Sequence, residues 1–188
     1  NGGKIINVSK IKDSYEDTGG ENKEWRDDTV ATVYVDFETI LKTLLNPVDS
    51  VQYERDFIFM IGIGWKLPNS DEWNYKCLKT NEIDLMEEMR ILQEMNDIIY
   101  DIEQKYGLNM VCHWGHIEKT MYNKTNEMYG NIFKQIKWFD MCEFFKRNYI
   151  AIKGAKNYKL KEITNGMYNN SMINVRWDTN CTNGLDTS

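Results

Sequence analysis

The chain has 188 residues, of which 41% are hydrophobic and 13% aromatic, and its formal net charge is −6. That length allows one domain with a sizeable core and is short for two. With only two prolines and an acidic balance, a Pro-rich linker protein and a uniformly basic nucleic-acid binder are excluded, so a polyanionic partner would need a local positive patch.

Residues 1–30 are polar, with "EDTGGENKEWRDD" reading as a solvated linker ahead of a domain at 31–188. Their first stretch lacks the basic start and apolar run of a secretion signal. The β-branched run Thr32–Phe37 predicts a strand. After the turn cluster "NPVDS" comes "DFIFMIGIGW", apolar almost throughout, which predicts a second strand covered on both faces. "WNYKCL" follows the turn "PNSDEW" as a third strand, so the three form an antiparallel meander. Over 82–106, Leu85, Met89, Leu92, Met95, Ile99, Ile102 and Tyr106 recur at spacings of three and four and draw one apolar stripe on a helix. Asn81 is placed to cap that helix and Gly107 to stop it, while Glu87, Glu88, Glu94 and Asp101 read as its solvated face. "LNMVCHW" then predicts a strand, "HIEKTMYNKTNEMY" a helix, "IKWFDM" a strand leading into "CEFFKRNY", and "YKLKEITNGMY" a further helix. The order β-β-β-α-β-α-β-α-α is that of an α/β protein with a mixed sheet and flanking helices.

No segment approaches the about 18 apolar residues of a membrane span. The cysteines at 77, 112, 142 and 181 form no C-x-x-C pair, which argues against a zinc module or disulfide framework and for a reduced, cytoplasmic setting.

Chemistry concentrates in "ATVYVDFETI". Strand residues i and i+2 share a face about 6.5–7 Å apart, so Asp36 and Glu38 lie side by side while Val35 and Phe37 point to the opposite layer. Two carboxylates together on an apolar element repel each other and resist desolvation, which a divalent cation relieves. Hard carboxylate oxygens suit Mg²⁺ or Mn²⁺, and two such ions can serve phosphodiester hydrolysis. The plainer reading of D-x-E is an edge strand with one wet face. In "VCHWGHIEKTMY", Glu118 opens a helix just beyond a strand end and is the candidate third ligand. A zinc site of His113, His116 and Glu118 is a rival, weakened by a spacing that matches no recognised zinc pattern. Asp140 follows a strand and precedes a helix, as an N-cap does; a supporting place beside the metals is the alternative for Asp140 and for His113. Residues 146–161 carry six basic residues and no acid, with Tyr149 and Tyr158 interleaved. Lys153, Lys156, Lys159 and Lys161 are candidates to hold phosphates and Tyr158 to stack on an unpaired base; an ordinary lysine-rich solvent face is the alternative.

In this order, "YVDFET", "FIFMIGIGW", "VCHWGHIEK" and "WFDMCEFFKRNYIAIKGAKNYKLKEI" resemble the DEDD exonuclease superfamily of the ribonuclease H-like fold. The likeness is greatest to its YprB-like RNase H domain branch, often joined to RecB-type nuclease or helicase modules, and it covers about residues 30–188. The resemblance implies a 3′–5′ exonuclease acting on DNA in preference to RNA. Asp36, Glu38 and Glu118 would be its catalytic acids and hold two Mg²⁺ or Mn²⁺ ions. One ion would activate a water and the other would stabilise the leaving 3′ oxygen. "YKLKEI" is similar to a substrate-side helix of the family. The family's third motif, a late helix with Tyr or His and then Asp, has no counterpart. "NGLDTS" is similar to the segment preceding that helix, and Asp186 falls too early to be the acid. The chain therefore reads as part of a longer multidomain protein, truncated before the last helix and lacking one ligand. Two alternatives remain. One is a ribonuclease H-like module that has lost catalysis and binds nucleic acid or a partner domain; the other is a family B DNA polymerase proofreading domain, whose first motif also reads D-x-E-T. Every enzymatic version requires Asp36 and Glu38 on one side of their strand and Glu118 within reach of both.

Overall fold

The computed structural model describes residues 28–45 and 55–176. The "NPVDS" turn, Cys181, the "NGLDTS" segment with Asp186 and most of the polar N-terminal stretch lie outside the described residues. The described chain forms two compact units, one within Lys23–Phe139 and the other from Asp140 onward.

The elements run β1 (Ala31–Ile40), a 3-10 turn (Lys42–Leu44), β2 (Phe57–Lys66), β3 (Trp73–Lys79), α1 (Leu85–Tyr106), β4 (Leu108–His113), α2 (Ile117–Met128) and β5 (Trp138–Asp140), then α3 (Met141–Arg147) and α4 (Leu160–Asn169). The five strands make one sheet in the order β3-β2-β1-β4-β5. β1 is antiparallel to β2 and parallel to β4, and β2 is antiparallel to β3. The protein is thus α/β with a mixed sheet, and its helices and strands alternate in the expected order.

Period-two alternation turns Ala31, Val33, Val35 and Phe37 of β1 into the core with Ile61 and Ile63 of β2, Leu78 of β3 and Val111 of β4. Helix α1 packs across this face with Ile91, Leu92, Met95, Ile99 and Ile102, and α2 adds Met121 and Tyr122. Each fully buried aliphatic side chain contributes about 1.5–3 kcal/mol, so the face fixes which side of β1 is left for polar residues. The Tyr122 hydroxyl lies 2.8 Å from Asn96 Oδ1 and 2.6 Å from the Lys134 carbonyl oxygen, so its one proton is shared between two acceptors inside the core.

Three sequence expectations are corrected. Helix α1 starts at Leu85 with Asp84, not Asn81, as its N-cap, because the Asp84 carboxylate accepts from the amides of Met86 and Glu87. Asn81 instead donates through its backbone and side-chain nitrogens to Glu87. Gly107 ends the helix as expected, with φ of 71° and its N–H donating to Glu103. Second, Glu88 is not on the solvated face but fully buried: Arg55 pairs with both its oxygens, the Ile58 amide donates to Oε1 at 2.8 Å, and the Tyr129 hydroxyl donates to Oε2 at 2.9 Å. Third, β2 is fully covered on both sides only at its start, where Phe57 and Ile58 are both buried. From Met60 onward the face away from α1 presents Met60, Gly62, Gly64 and Lys66, all partly accessible.

In the second unit, the Asp140 carboxylate accepts from the amides of Cys142 and Glu143, capping α3. Phe144, Ile150, Ile152 and Ile163 are buried there, and α4 approaches closely through Gly166.

Candidate active site

On the sheet face away from α1, the registers of the first three strands build a grid. Thr32, Lys66 and Trp73 form its first row; Tyr34, Gly64 and Tyr75 form the second. Asp36, Gly62 and Cys77 are the third, and Glu38, Met60 and Lys79 the fourth. Asp36 and Glu38 therefore share one side of β1, as their spacing requires, while Val35 and Phe37 are buried on the other. A bulge follows directly, where the pairing with β2 shifts between Glu38 and Thr39. Bulges are common beside active sites because they re-aim side chains and end regular pairing.

Glu118 comes from the first turn of α2 and is buried, 5% exposed. Its charge reaches β1. The Asp36 carboxyl is pushed up to about 6, first by burial among its neighbours, then by the negative charge of Glu118 and that of Glu38. Asp36 retains an exposed side, so solvent tempers this crowding without removing it. The three acids thus form one electrostatic group drawn from β1 and the start of α2.

Glu118 is also held from behind. Its Oε2 lies 3.2 Å from His113 Nδ1 at the end of β4, and both side chains are buried. The geometry fits Nδ1–H donating to the carboxylate, an arrangement that fixes an acid's orientation and leaves Oε1 to act elsewhere. The His113 ring stands edge-on to Trp138, centroids 5.3 Å apart, and its buried Nε2 has no hydrogen-bond partner. His116 is exposed at the N-terminus of α2 and makes no side-chain cap.

As the side chains stand, no three His, Cys, Asp or Glu residues among the described ones are disposed to hold a metal ion. The donor chemistry nevertheless suits a hard divalent cation: three carboxylates, one of them destabilised by the other two.

The remaining predicted residues belong to the second unit. Asp140 is the cap of α3; Lys153, Lys156, Lys159 and Lys161 are exposed and Tyr158 half-buried on and before the first turn of α4. The Lys156 amide donates to Glu162, and Arg147 pairs with Glu143.

Sequence reasoning missed the aromatic half of the grid. Trp73 and Tyr75 are 59% and 70% exposed and reach over Gly64 and Gly62, where a Cβ would meet Trp73 Cζ3 at 4.0 Å and the Tyr75 hydroxyl at 3.3 Å. The signal was present: G-x-G facing W-x-Y across a short turn puts two rings opposite two missing side chains. No family model matches the chain, and no curated protein or solved structure is found similar to it.

Proposed function

We propose that the chain is a metal-dependent 3′–5′ exonuclease domain of the ribonuclease H-like type, hydrolysing phosphodiester bonds of DNA or RNA. One observation carries the reading: Asp36, midway along β1 and open to solvent on one side, is held well above the usual carboxylate range, first by desolvation and then by the neighbouring Glu118 and Glu38. Carboxylates kept at such mutual cost mark a functional site more often than a structural one. The mixed sheet, with β2 antiparallel and β4 parallel to β1, is compatible with that fold.

Within this reading Asp36 and Glu38 offer oxygens from the rigid strand, and Glu118 offers Oε1 while His113 retains Oε2. Bound Mg²⁺ or Mn²⁺ would supply an activated water and neutralise charge on the departing oxygen. In the second unit, taken by itself, the exposed lysines at 153, 156, 159 and 161 would offer point charges to phosphates.

A titration with Mn²⁺, followed by its electron paramagnetic resonance signal, tests the site. The free-ion signal should fall on adding the protein, and Asp36→Ala and Glu118→Gln should restore it by tenfold or more in apparent affinity. A chain extended beyond Ser188 that degrades 3′ ends should lose that activity with Glu38→Ala. Unchanged Mn²⁺ binding in both single variants, or activity surviving Glu38→Ala, overturns the proposal.

The Glu118–His113 bond favours a second reading: the acid is committed to a structural partner, and the module binds nucleic acid without cleaving it. Under it Glu118→Gln lowers stability and leaves Mn²⁺ binding unaltered.

A further inference from the structure

We infer that the face formed by Tyr34, Trp73 and Tyr75 is a stacking surface for the unpaired bases of a single strand running toward Asp36. The inference takes its polymer from the exonuclease reading and adds to it the surface on which the bases rest. Three observations carry it.

The rings are placed and supported. Tyr34 and Trp73 touch across Gly64, centroids 5.4 Å apart and planes at 53°, and Tyr75 extends over Gly62. The two glycines let the rings settle near the sheet, yet Trp73 and Tyr75 stay 59% and 70% exposed. Large aromatics left that open at the surface cost hydration free energy unless something covers them.

The surface is also continuous with the acids. Tyr75 is one grid row from Asp36, about 6.5–7 Å along the strand, and Trp73 is one row further. Successive nucleotides of an extended strand have a comparable spacing, so bases can rest on consecutive rows while the chain's end lies at the carboxylates.

The charge pattern fits a polymer that alternates planar apolar groups with anions. Lys66 lies beside Trp73 in the first row, and its Nζ pairs with Asp71 at 2.9 Å in a solvent-exposed pair. Such pairs are worth little, and a phosphate can replace the partner. Lys66, Asp36 and Glu38 break up the apolar area that a second copy of the chain would bury here.

The test is equilibrium binding of fluorescein-labelled oligonucleotides to the whole chain, read as anisotropy at fixed low salt with EDTA present. Three ligands are compared, an oligothymidylate, the same length of abasic sugar-phosphate and the blunt duplex, each with wild-type, Tyr75→Ala and Trp73→Ala protein. Stacking on an aromatic ring is worth about fivefold to a hundredfold in affinity per base. Wild type should bind the thymidylate at least about fivefold more tightly than the abasic strand. Each alanine variant should erase most of that preference, Tyr75→Phe should keep it, and the duplex should respond to none of these changes. Circular dichroism and melting confirm that the variants fold. Equal binding of thymidylate and abasic strands by wild type overturns the inference, as does a folded Tyr75→Ala, Trp73→Ala double variant that retains the preference. A dimer that the same variants disperse also overturns it. EDTA separates binding from cleavage; base-dependent binding in EDTA, with no hydrolysis of the same oligothymidylate when Mn²⁺ replaces EDTA, sustains this inference while the nuclease reading fails. Hydrolysis indifferent to Tyr75 and Trp73 does the reverse.

Discussion

At the residue scale, Asp36 makes a prediction whose sign follows from its surroundings. Its carboxyl titrates near 6 in the folded chain against an ordinary value of 3.8. The folded state therefore holds the proton more tightly, and stability declines as pH rises from about 4 through 6. Asp36→Asn removes the charge that burial, Glu118 and Glu38 oppose. The variant should melt at the same temperature as wild type near pH 4 and at a higher one at pH 7, the gap opening between those values; thermal melts across that range check it. A gap that is constant with pH would mean the carboxyl is not crowded in solution. The i, i+2 sharing of one strand face by Asp36 and Glu38 was legible because period two leaves no freedom once Val35 and Phe37 are buried. The tie between Glu118 and His113 was not, since it spans a strand end and a helix start, where no period relates one side chain to the other.

At the scale of elements, the apolar stripe of α1 was readable because its side-chain entropy and burial are settled by one regular period. Its start was not, because Asn81 and Asp84 are both good caps and only the local chain path decides which carboxyl or amide meets the free amides. The misreading of β2 has a different cause. Glycine ranks with apolar residues in a pattern but buries nothing, so "FIFMIGIGW" looks two-sided while Gly62 and Gly64 leave one side to the rings of β3. In the second unit, α4 rests on the preceding loop through Gly166, where a Cβ would lie 2.8 Å from Ile152 Cγ2 and 3.3 Å from the Lys153 carbonyl oxygen. Ile152 is buried and stiffly branched and cannot step aside cheaply. Gly166→Ala should therefore lower stability by about 1–3 kcal/mol in spite of alanine's better helix propensity, as measured by urea unfolding. Stabilisation would show that the loop yields.

At the scale of the first unit, a buried ion pair joins segments that are distant in sequence. Glu88 of α1 meets Arg55 just before β2 and also accepts from the Ile58 amide and the Tyr129 hydroxyl beyond α2. None of this shows in the sequence, where Glu88 sits among other acids and Arg55 lies 33 residues away. Removing one partner strands the other charge, so Glu88→Ala should cost about 3–5 kcal/mol in chemical unfolding. Arg55→Met with Glu88→Leu should recover much of that, because two apolar groups leave no orphaned charge. Failure of the double variant to recover would place the cost in the Ile58 and Tyr129 hydrogen bonds instead.

The position of β3 at the end of the sheet order has one more consequence. An outermost strand offers backbone donors and acceptors that a stray peptide can extend, and two exposed aromatics make that rim more adhesive still. Lys76, paired with Glu94 on the side of α1, and Lys79 on the opposite side put a cation on each face of this strand. These two lysines thus act as gatekeepers on an open rim, deterring accretion into fibrous aggregates.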